Sequence, residues 1–258
     1  MPETSTQLSS NFPNLKQSRS ASTITLITYN NTLCVRKQSQ YNITQEYTLL
    51  STLSHPNIIK VFTQDSPNSY IMEYCSNEDL NPKAPITGVS DLISTFKQMC
   101  EAVKYLHNNN ISHLDIKLEN FVRDSEGTIK LIDFGHANYN TESIKKVYGT
   151  DFCNAPERYQ GEYCGMKADI FSLGICLTGL LAGFVPVMKN GKCFAVGESY
   201  IKDNGRFWAI IENECIKQNK DFEGIDEYAI ELVNKMVGIH PANRPDISTI
   251  LNDKFFIE

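Results

Sequence analysis

Between Cys75 and Asp91 the hydrophobic period of this chain changes, and a fold of only helices or only strands cannot accommodate both sides of the change. Upstream, residues 23–28 (TITLIT) and 33–37 (LCVRK) are β-branched or apolar runs separated by Asn30-Asn31, the pattern of two strands joined by a tight turn. Residues 58–62 and 70–74 predict further strands, and residues 44–53 carry helical spacing at Tyr47, Leu50 and Leu53. Downstream, Leu92, Ile93, Phe96, Met99, Cys100, Val103 and Leu106 fall on one face of a helix. A short strand over 128–132, a buried helix over 169–181 and a surface helix over 227–236 follow, the last with Ile230, Leu232, Val233 and Met236 apolar. The expected fold class is α+β in two lobes: a small β-rich lobe with one helix over 18–75, and a larger, mainly helical lobe over 76–257. A cleft between such lobes is where a small molecule would sit. Residues 1–17 are polar, show no apolar periodicity and read as a flexible tail.

Composition narrows the partners. With 24 Lys+Arg against 30 Asp+Glu the net charge is -6, which lacks the basic footprint that nucleic-acid binding needs. The eight cysteines make no CxxC pair and no zinc-type Cys/His spacing, and several lie in apolar runs, so free thiols in a reducing compartment are expected. Residues 1–20 have no apolar h-region, so no signal peptide is read there and a cytoplasmic or nuclear location is expected. The nearly uncharged run 171–187 ends at Pro186 and falls short of the about 20 apolar residues of a membrane span, so a buried helix is expected.

The strongest chemical signal is His113-Leu114-Asp115-Ile116-Lys117-Leu118-Glu119-Asn120, followed after a short interval by Asp133-Phe134-Gly135. A carboxylate, an ammonium and an amide are fixed in one short loop, with a second carboxylate beyond the next strand. Phosphoryl transfer asks for such a set: a group to orient the attacking hydroxyl, a cation on the moving phosphoryl, and hard oxygens for Mg²⁺.

In this ordered combination the chain resembles the eukaryotic protein kinase family, of Ser/Thr type, over residues 18–257. The resemblance implies ATP and Mg²⁺ as cofactors, Asp115 as the catalytic base, Lys117 on the γ-phosphate, and Asn120 and Asp133 as metal ligands. It further implies that Glu46, at the family's spacing before His55-Pro56-Asn57-Ile58, pairs with the phosphate-binding lysine. Met72-Glu73-Tyr74-Cys75 resembles the segment that meets adenine, giving Glu73 and Cys75 as nucleotide contacts with Val122, and Asp79 would lie near the ribose. Gly149-Thr150-Asp151-Phe152-Cys153-Asn154-Ala155-Pro156-Glu157 is similar to the end of the family's activation segment. Asp169 would steady the catalytic-loop backbone, and Arg244 would pair with Glu157.

Three departures stand out. No glycine precedes Gly88, so the glycine-rich phosphate loop is missing as such; residues 18–23 (SRSAST) either replace it or end the tail. The strand cation is open between Arg36, which fits the apolar-small-apolar-cation pattern, and Lys37, which shares a strand face with Val35 and is favoured by the intact catalytic residues. Leu114 stands where the family has an arginine that clasps a phosphorylated activation segment, so that clasp is lacking. Thr141, Ser143, Tyr148 and Thr150 are modifiable, with no reason in the sequence for activity to require it.

Lys117 two residues after Asp115, with Gly149-Thr150 ahead of the Ala155-Pro156-Glu157 segment, resembles Ser/Thr kinases, whose partners are protein substrates with Ser/Thr. Glu119 is either a reader of arginine in a substrate or a solvated loop acid. The rival function is a pseudokinase, a nucleotide-binding or scaffold module with little transfer; a small-molecule kinase is a weaker third reading. No nucleic acid, no membrane and a monomer by default complete the expectation. The irregular stretch 183–208, with Phe207-Trp208, is a region where kinases dock partners, though core packing explains Trp208 at least as well.

Overall fold

Asn30 and Asn31, both at positive φ (49° and 60°), make the tight turn between β1 (Ser22–Tyr29) and β2 (Thr32–Ser39). Asparagine tolerates that conformation, and it gives the paired strands their natural twist. The computed structural model describes residues 22–76, 79, 80, 86, 88–139, 141–184, 211 and 226–257. The 1–17 tail, positions 18–21 of the serine-rich stretch, and residues 185–208 with Phe207 and Trp208 lie outside them. The chain divides into two compact units, Met1–Glu78 with Val122–Gly135, and Asp79–Phe121 with His136–Glu258.

The first unit is built on a four-stranded antiparallel sheet, β1-β2-β4-β3, with β3 at Val61–Ser66 and β4 at Ser69–Glu73. Register sets Lys37 opposite Tyr70 and Arg36 opposite Ile71. Because side chains alternate along a strand, Val35 and Lys37 share the buried face and Arg36 takes the other. The helix α1 (Thr44–Ser51) packs on β3 and buries Glu46, Leu49 and Leu50. The strand expected over 58–62 is displaced: β3 starts at Val61, and Ile58 instead bridges Leu131 in parallel. Ile59 N donates to Leu131 O at 3.0 Å and Leu131 N to Asn57 O at 2.9 Å, so those apolar residues serve a different pairing. Leu131 ends β6 (Ile129–Leu131), which pairs with β5 (Phe121–Arg123). The contacts of Asn57, Ile58 and Ile59 with Leu131 tie this stretch to the first unit, which includes Val122–Gly135, whereas the sequence boundary at 75/76 had set the whole stretch in the larger lobe.

In the second unit α2 (Val89–Asn108) buries Leu92, Phe96, Met99, Cys100, Val103 and Leu106 as its periodicity predicts, with Ile93 half-buried at the edge of the stripe. The helix α3 (Gly165–Ala182) is buried around most of its circumference. It begins ahead of the expected residue 169 because Gly165 N donates to Thr141 O at 2.6 Å and Ala168 N to Cys164 O at 3.1 Å. It stops where Gly183 turns left-handed (φ 70°) and returns its N–H to Gly179 O at 2.9 Å. By length and composition α3 is apolar enough to cross a membrane, but 89% of it is buried inside the protein, as a core helix is. Two helices flank this core: α4 (Glu227–Met236) against α3, and α5 (Ile247–Leu251) against α2. In α4, Ala229, Leu232, Val233 and Met236 are buried and Ile230 is half-buried. The six cysteines among the described residues are free thiols.

Candidate active site

Lys37 is the strand cation that the fold takes inside. It is 7% exposed, and its Nζ donates to Glu46 Oε1 at 2.7 Å and to Asp133 Oδ1 at 2.9 Å. Arg36, on the opposite face, pairs with Asp65 at 2.8 Å, partly in solvent. Glu46 meets Lys37 because α1 starts soon after β2 ends, which sets this carboxylate in the first turn of the helix. Its Oε1 also accepts from Tyr70 Oη at 3.0 Å and from Phe134 N at 3.2 Å. Burial works to lower the Lys37 pKa, but the carboxylates of Asp133 and Glu46 outweigh it and hold the ammonium above its ordinary value. Burial, with the Glu46 charge, pushes the Tyr70 phenol well up, so it stays a donor. Asp133 itself adopts positive φ (63°), a strained geometry for a residue with a side chain.

A second cluster forms within the other unit. Asp115 is 6% exposed; its Oδ1 accepts from Thr150 Oγ1 at 2.9 Å, and its Oδ2 from Lys117 Nζ at 2.8 Å and Asn120 Nδ2 at 3.1 Å. Lys117 Nζ also donates to Thr150 Oγ1 at 2.8 Å, which closes a triangle of carboxylate, ammonium and hydroxyl. Asn120 Nδ2 further donates to Asp115 O at 2.8 Å, so its amide oxygen points away from Asp115. The loop carrying these groups hangs on Asp169, whose buried carboxylate accepts from His113 N at 2.7 Å and Leu114 N at 2.9 Å. Burial would raise the Asp169 pKa, but hydrogen bonding and charge from His107, 3.2 Å away, and the nearby Arg158 hold it below the carboxylate norm. Arg244 grips Glu157 through two bonds of 2.6 and 2.8 Å, the pair expected from the sequence.

The other expected nucleotide contacts are distributed between the units. Glu73 ends β4, and its carboxylate accepts from Lys60 N at 2.7 Å and stands 3.2 Å from Lys130 Nζ. Burial, with the Glu73 charge, pushes the Cys75 thiol up to about 12. Val122 lies half-buried in β5, in the same unit as Lys37, Glu46, Glu73, Cys75 and Asp133. Asp79 belongs to the other unit with Asp115, Lys117 and Asn120, and its neighbour Leu80 donates to Phe121 O at 2.9 Å. Among the described residues no group of three or more His, Cys, Asp or Glu is placed to hold a metal by itself. The Asp133 carboxylate belongs to the first unit and the Asn120 amide to the second, and each offers oxygen of the hard type that Mg²⁺ takes.

Sequence reasoning did not assign Tyr70, Thr150 or Arg158 to the site. Thr150 stood only as a modifiable hydroxyl, and the structure engages it with Asp115 and Lys117. Of the other three modifiable residues, Thr141 is buried, Tyr148 is half-buried, and Ser143 is exposed with its Oγ bonded to Glu162 at 2.5 Å.

Residues 21–256 match the protein kinase domain family. The chain is 29% identical over 240 residues to 3-phosphoinositide-dependent protein kinase B of Dictyostelium discoideum, covering 88% of this chain and 25% of that protein. It is 29% identical over 225 residues to calcium-dependent protein kinase 5 of Plasmodium berghei, covering 83% and 38%. It is 29% identical over 242 residues to the mitochondrial serine/threonine-protein kinase ppk24 of Schizosaccharomyces pombe, covering 80% and 52%. The chain thus spans between a quarter and about half of the length of these relatives. With the α+β architecture, the buried Lys37–Glu46 pair and the Asp115–Lys117–Asn120 loop all in place, the match over nearly the whole chain means that this protein belongs to the protein kinase domain family.

Proposed function

We propose that the chain is a serine/threonine protein kinase, transferring the γ-phosphate of ATP to a hydroxyl of a protein substrate. The observation that carries this reading is the triangle of Asp115, Lys117 and Thr150. A carboxylate held by its own neighbours is oriented to accept a hydrogen bond from an incoming hydroxyl and to receive its proton as the oxygen attacks. Lys117, beside it, offers a positive charge to the phosphoryl group in flight. Lys37, kept charged by Glu46 and Asp133, is the cation for the remaining phosphates.

Asp133 and Asn120 are the residues that would hold Mg²⁺, which supplies charge neutralisation to the phosphate oxygens when bound. Glu73 and Cys75 are assigned to adenine through their backbones, Val122 to the base and Asp79 to the ribose. The subtype is one without the arginine before the catalytic aspartate, since Leu114 occupies that place, and without glycines ahead of β1. Free thiols at all six described cysteines support a reducing, cytoplasmic or nuclear setting. The substrate surface is taken to be protein, and the net charge of -6 argues against nucleic acid.

The test is transfer from radiolabelled ATP with Mg²⁺ to a pool of Ser/Thr peptides, run beside Asp115→Asn and Asp133→Asn. Incorporation into Ser/Thr that falls by about a hundred-fold or more in each variant is the expected result. No incorporation by the unaltered protein, with no thermal shift on adding Mg²⁺ and ATP, would leave a scaffold or pseudokinase.

A further inference from the structure

Leu114 adopts positive φ (65°) with its side chain fully buried, one residue before Asp115. A leucine in that conformation is strained and persists only where the surroundings over-determine it. Its N–H is held by Asp169 Oδ1 at 2.9 Å, and its carbonyl accepts from Arg158 Nη1 at 2.8 Å. The same Nη1 is 2.6 Å from Asn154 Oδ1 and 3.1 Å from Tyr148 O. Asn154 Nδ2 donates back to Tyr148 O at 2.9 Å, and Tyr159 Oη reaches Asp151 Oδ1 at 2.9 Å. Both ends of segment 148–154 are therefore tied, through one guanidinium nitrogen, to the backbone of Leu114. Between those ends lies Thr150, whose hydroxyl meets Asp115 and Lys117.

The chemistry of Arg158 argues that it is there for position more than for stability. It is 1% exposed, yet Nε and Nη2 have no hydrogen-bond partner among the described residues, and Nη2 is 3.9 Å from Asp169 Oδ1. A buried cation with two unbonded nitrogens is a poorer core filler than an apolar side chain of similar volume. The bonds it does make are short and directional, and they join the loop of Asp115 to the segment of Thr150. Gly149 fits the same junction: its φ is 79°, and a Cβ there would run into Leu114 O and stand 3.1 Å from Arg158 Nη1.

We infer that Arg158 is a positioning residue that fastens segment 148–154 to the Leu114 carbonyl and so sets Thr150 against Asp115 and Lys117, independently of any phosphate on the segment. Its effect on transfer rests on the kinase reading above; its effect on segment order does not. An arginine supplied from within the Pro156–Tyr159 turn thus answers for the missing arginine at position 114, and the segment's order becomes a fixed property of the fold.

The experiment compares phosphatase-treated unaltered protein with Arg158→Lys and Asn154→Ala, the second removing the bridge while leaving the guanidinium in place. Amide hydrogen exchange across 148–154 is read first, since it needs no activity. Exchange is expected to speed up by about ten-fold or more in both variants, with the amides of α3 unchanged. Peptide phosphorylation is read second, and kcat is expected to fall by about ten-fold or more while KM for ATP stays within about two-fold. Unchanged exchange in both variants would overturn the proposal, as would loss of segment protection in the unaltered protein on phosphatase treatment. If the unaltered protein transfers no phosphate but the exchange result holds, the kinase reading fails and the positioning role stands.

Discussion

Tyr70 reaches Glu46 from the strand next to Lys37, and the two side chains donate to the same carboxylate oxygen, at 3.0 and 2.7 Å. The phenol is buried and stays protonated, so it is a permanent donor. Replacing it by phenylalanine removes one hydrogen bond to a charged group and little else. Tyr70→Phe is expected to destabilise the protein by about 1.5 kcal/mol in urea unfolding and to raise KM for ATP more than it lowers kcat. Unaltered stability and KM together would show that the third donor is idle.

The two strand cations should separate cleanly. Lys37→Met strips Glu46 and Asp133 of their shared partner and is expected to lower phosphoryl transfer by about a hundred-fold or more. Arg36→Met removes a half-exposed pair with Asp65, a contact of the kind that contributes at most about 1 kcal/mol, and should leave transfer within about two-fold. Assaying both variants against the unaltered protein decides it; a larger loss from Arg36 would mean that Arg36, and not Lys37, is the cation that serves the phosphates.

Residues 36 and 37 also show how far the sequence alone reaches. Period-2 patterning identified the strand and both cations, yet a strand with charges on two neighbouring positions does not say which face the core takes. That depends on where Glu46 and Asp133 arrive, a matter of the chain between β2 and α1 and of the turn after β6. The grouping of Asp115, Lys117 and Asn120 was legible because the three share one short loop, whereas the Glu157–Arg244 pair, 87 residues apart, was legible only through the family resemblance. Tyr70 was not, since an aromatic in an apolar strand reads as core and its hydroxyl partner comes from a helix elsewhere in the chain. Arg158 carried no reading in the sequence, since its partners Leu114, Tyr148 and Asn154 meet its guanidinium only in the fold. The apolar run 58–62 misled for a related reason: Asn57 and Ile59 spend their backbone groups on Leu131, outside the main sheet.

The bidentate contact of Arg244 with Glu157 should behave as a buried pair does. Arg244 is 1% exposed and also donates to Gly238 O and Lys167 O, each at 2.8 Å. Arg244→Met alone leaves Glu157 without its partner and is expected to cost about 3–5 kcal/mol in urea unfolding. Adding Glu157→Leu should recover part of that loss, a coupling that a double-mutant cycle measures directly. Strict additivity would argue that the two residues act separately.

The α5 N-terminus offers a test with a pH sign. Asp246 accepts from Thr249 N at 2.7 Å, and that backbone bond holds its carboxyl below the ordinary value. A carboxyl depressed in the folded state adds stability at pH above its unfolded value, and loses that addition as pH falls through the folded one. Asp246→Ala is expected to destabilise by about 1 kcal/mol at pH 7, a gap that narrows as pH drops below about 4. Asp246→Asn, which keeps an acceptor without a titrating proton, should retain most of the cap and show less of the pH trend. Urea midpoints from pH 3 to 7 for the three proteins provide the comparison.

Glu46 Oε1 collects donors from β2, from β4 and from the backbone that follows β6. Three stretches of chain, far apart in sequence, thus share a single acceptor. A bound anion that draws Lys37 toward itself weakens one of those three claims while adding its own binding free energy to the folded state, so affinity and resistance to heat are coupled through one atom. Selection for tighter or looser nucleotide binding in a protein built this way would surface as changes in melting temperature, and variants chosen for thermal resistance would drift in affinity without any change at the ligand itself.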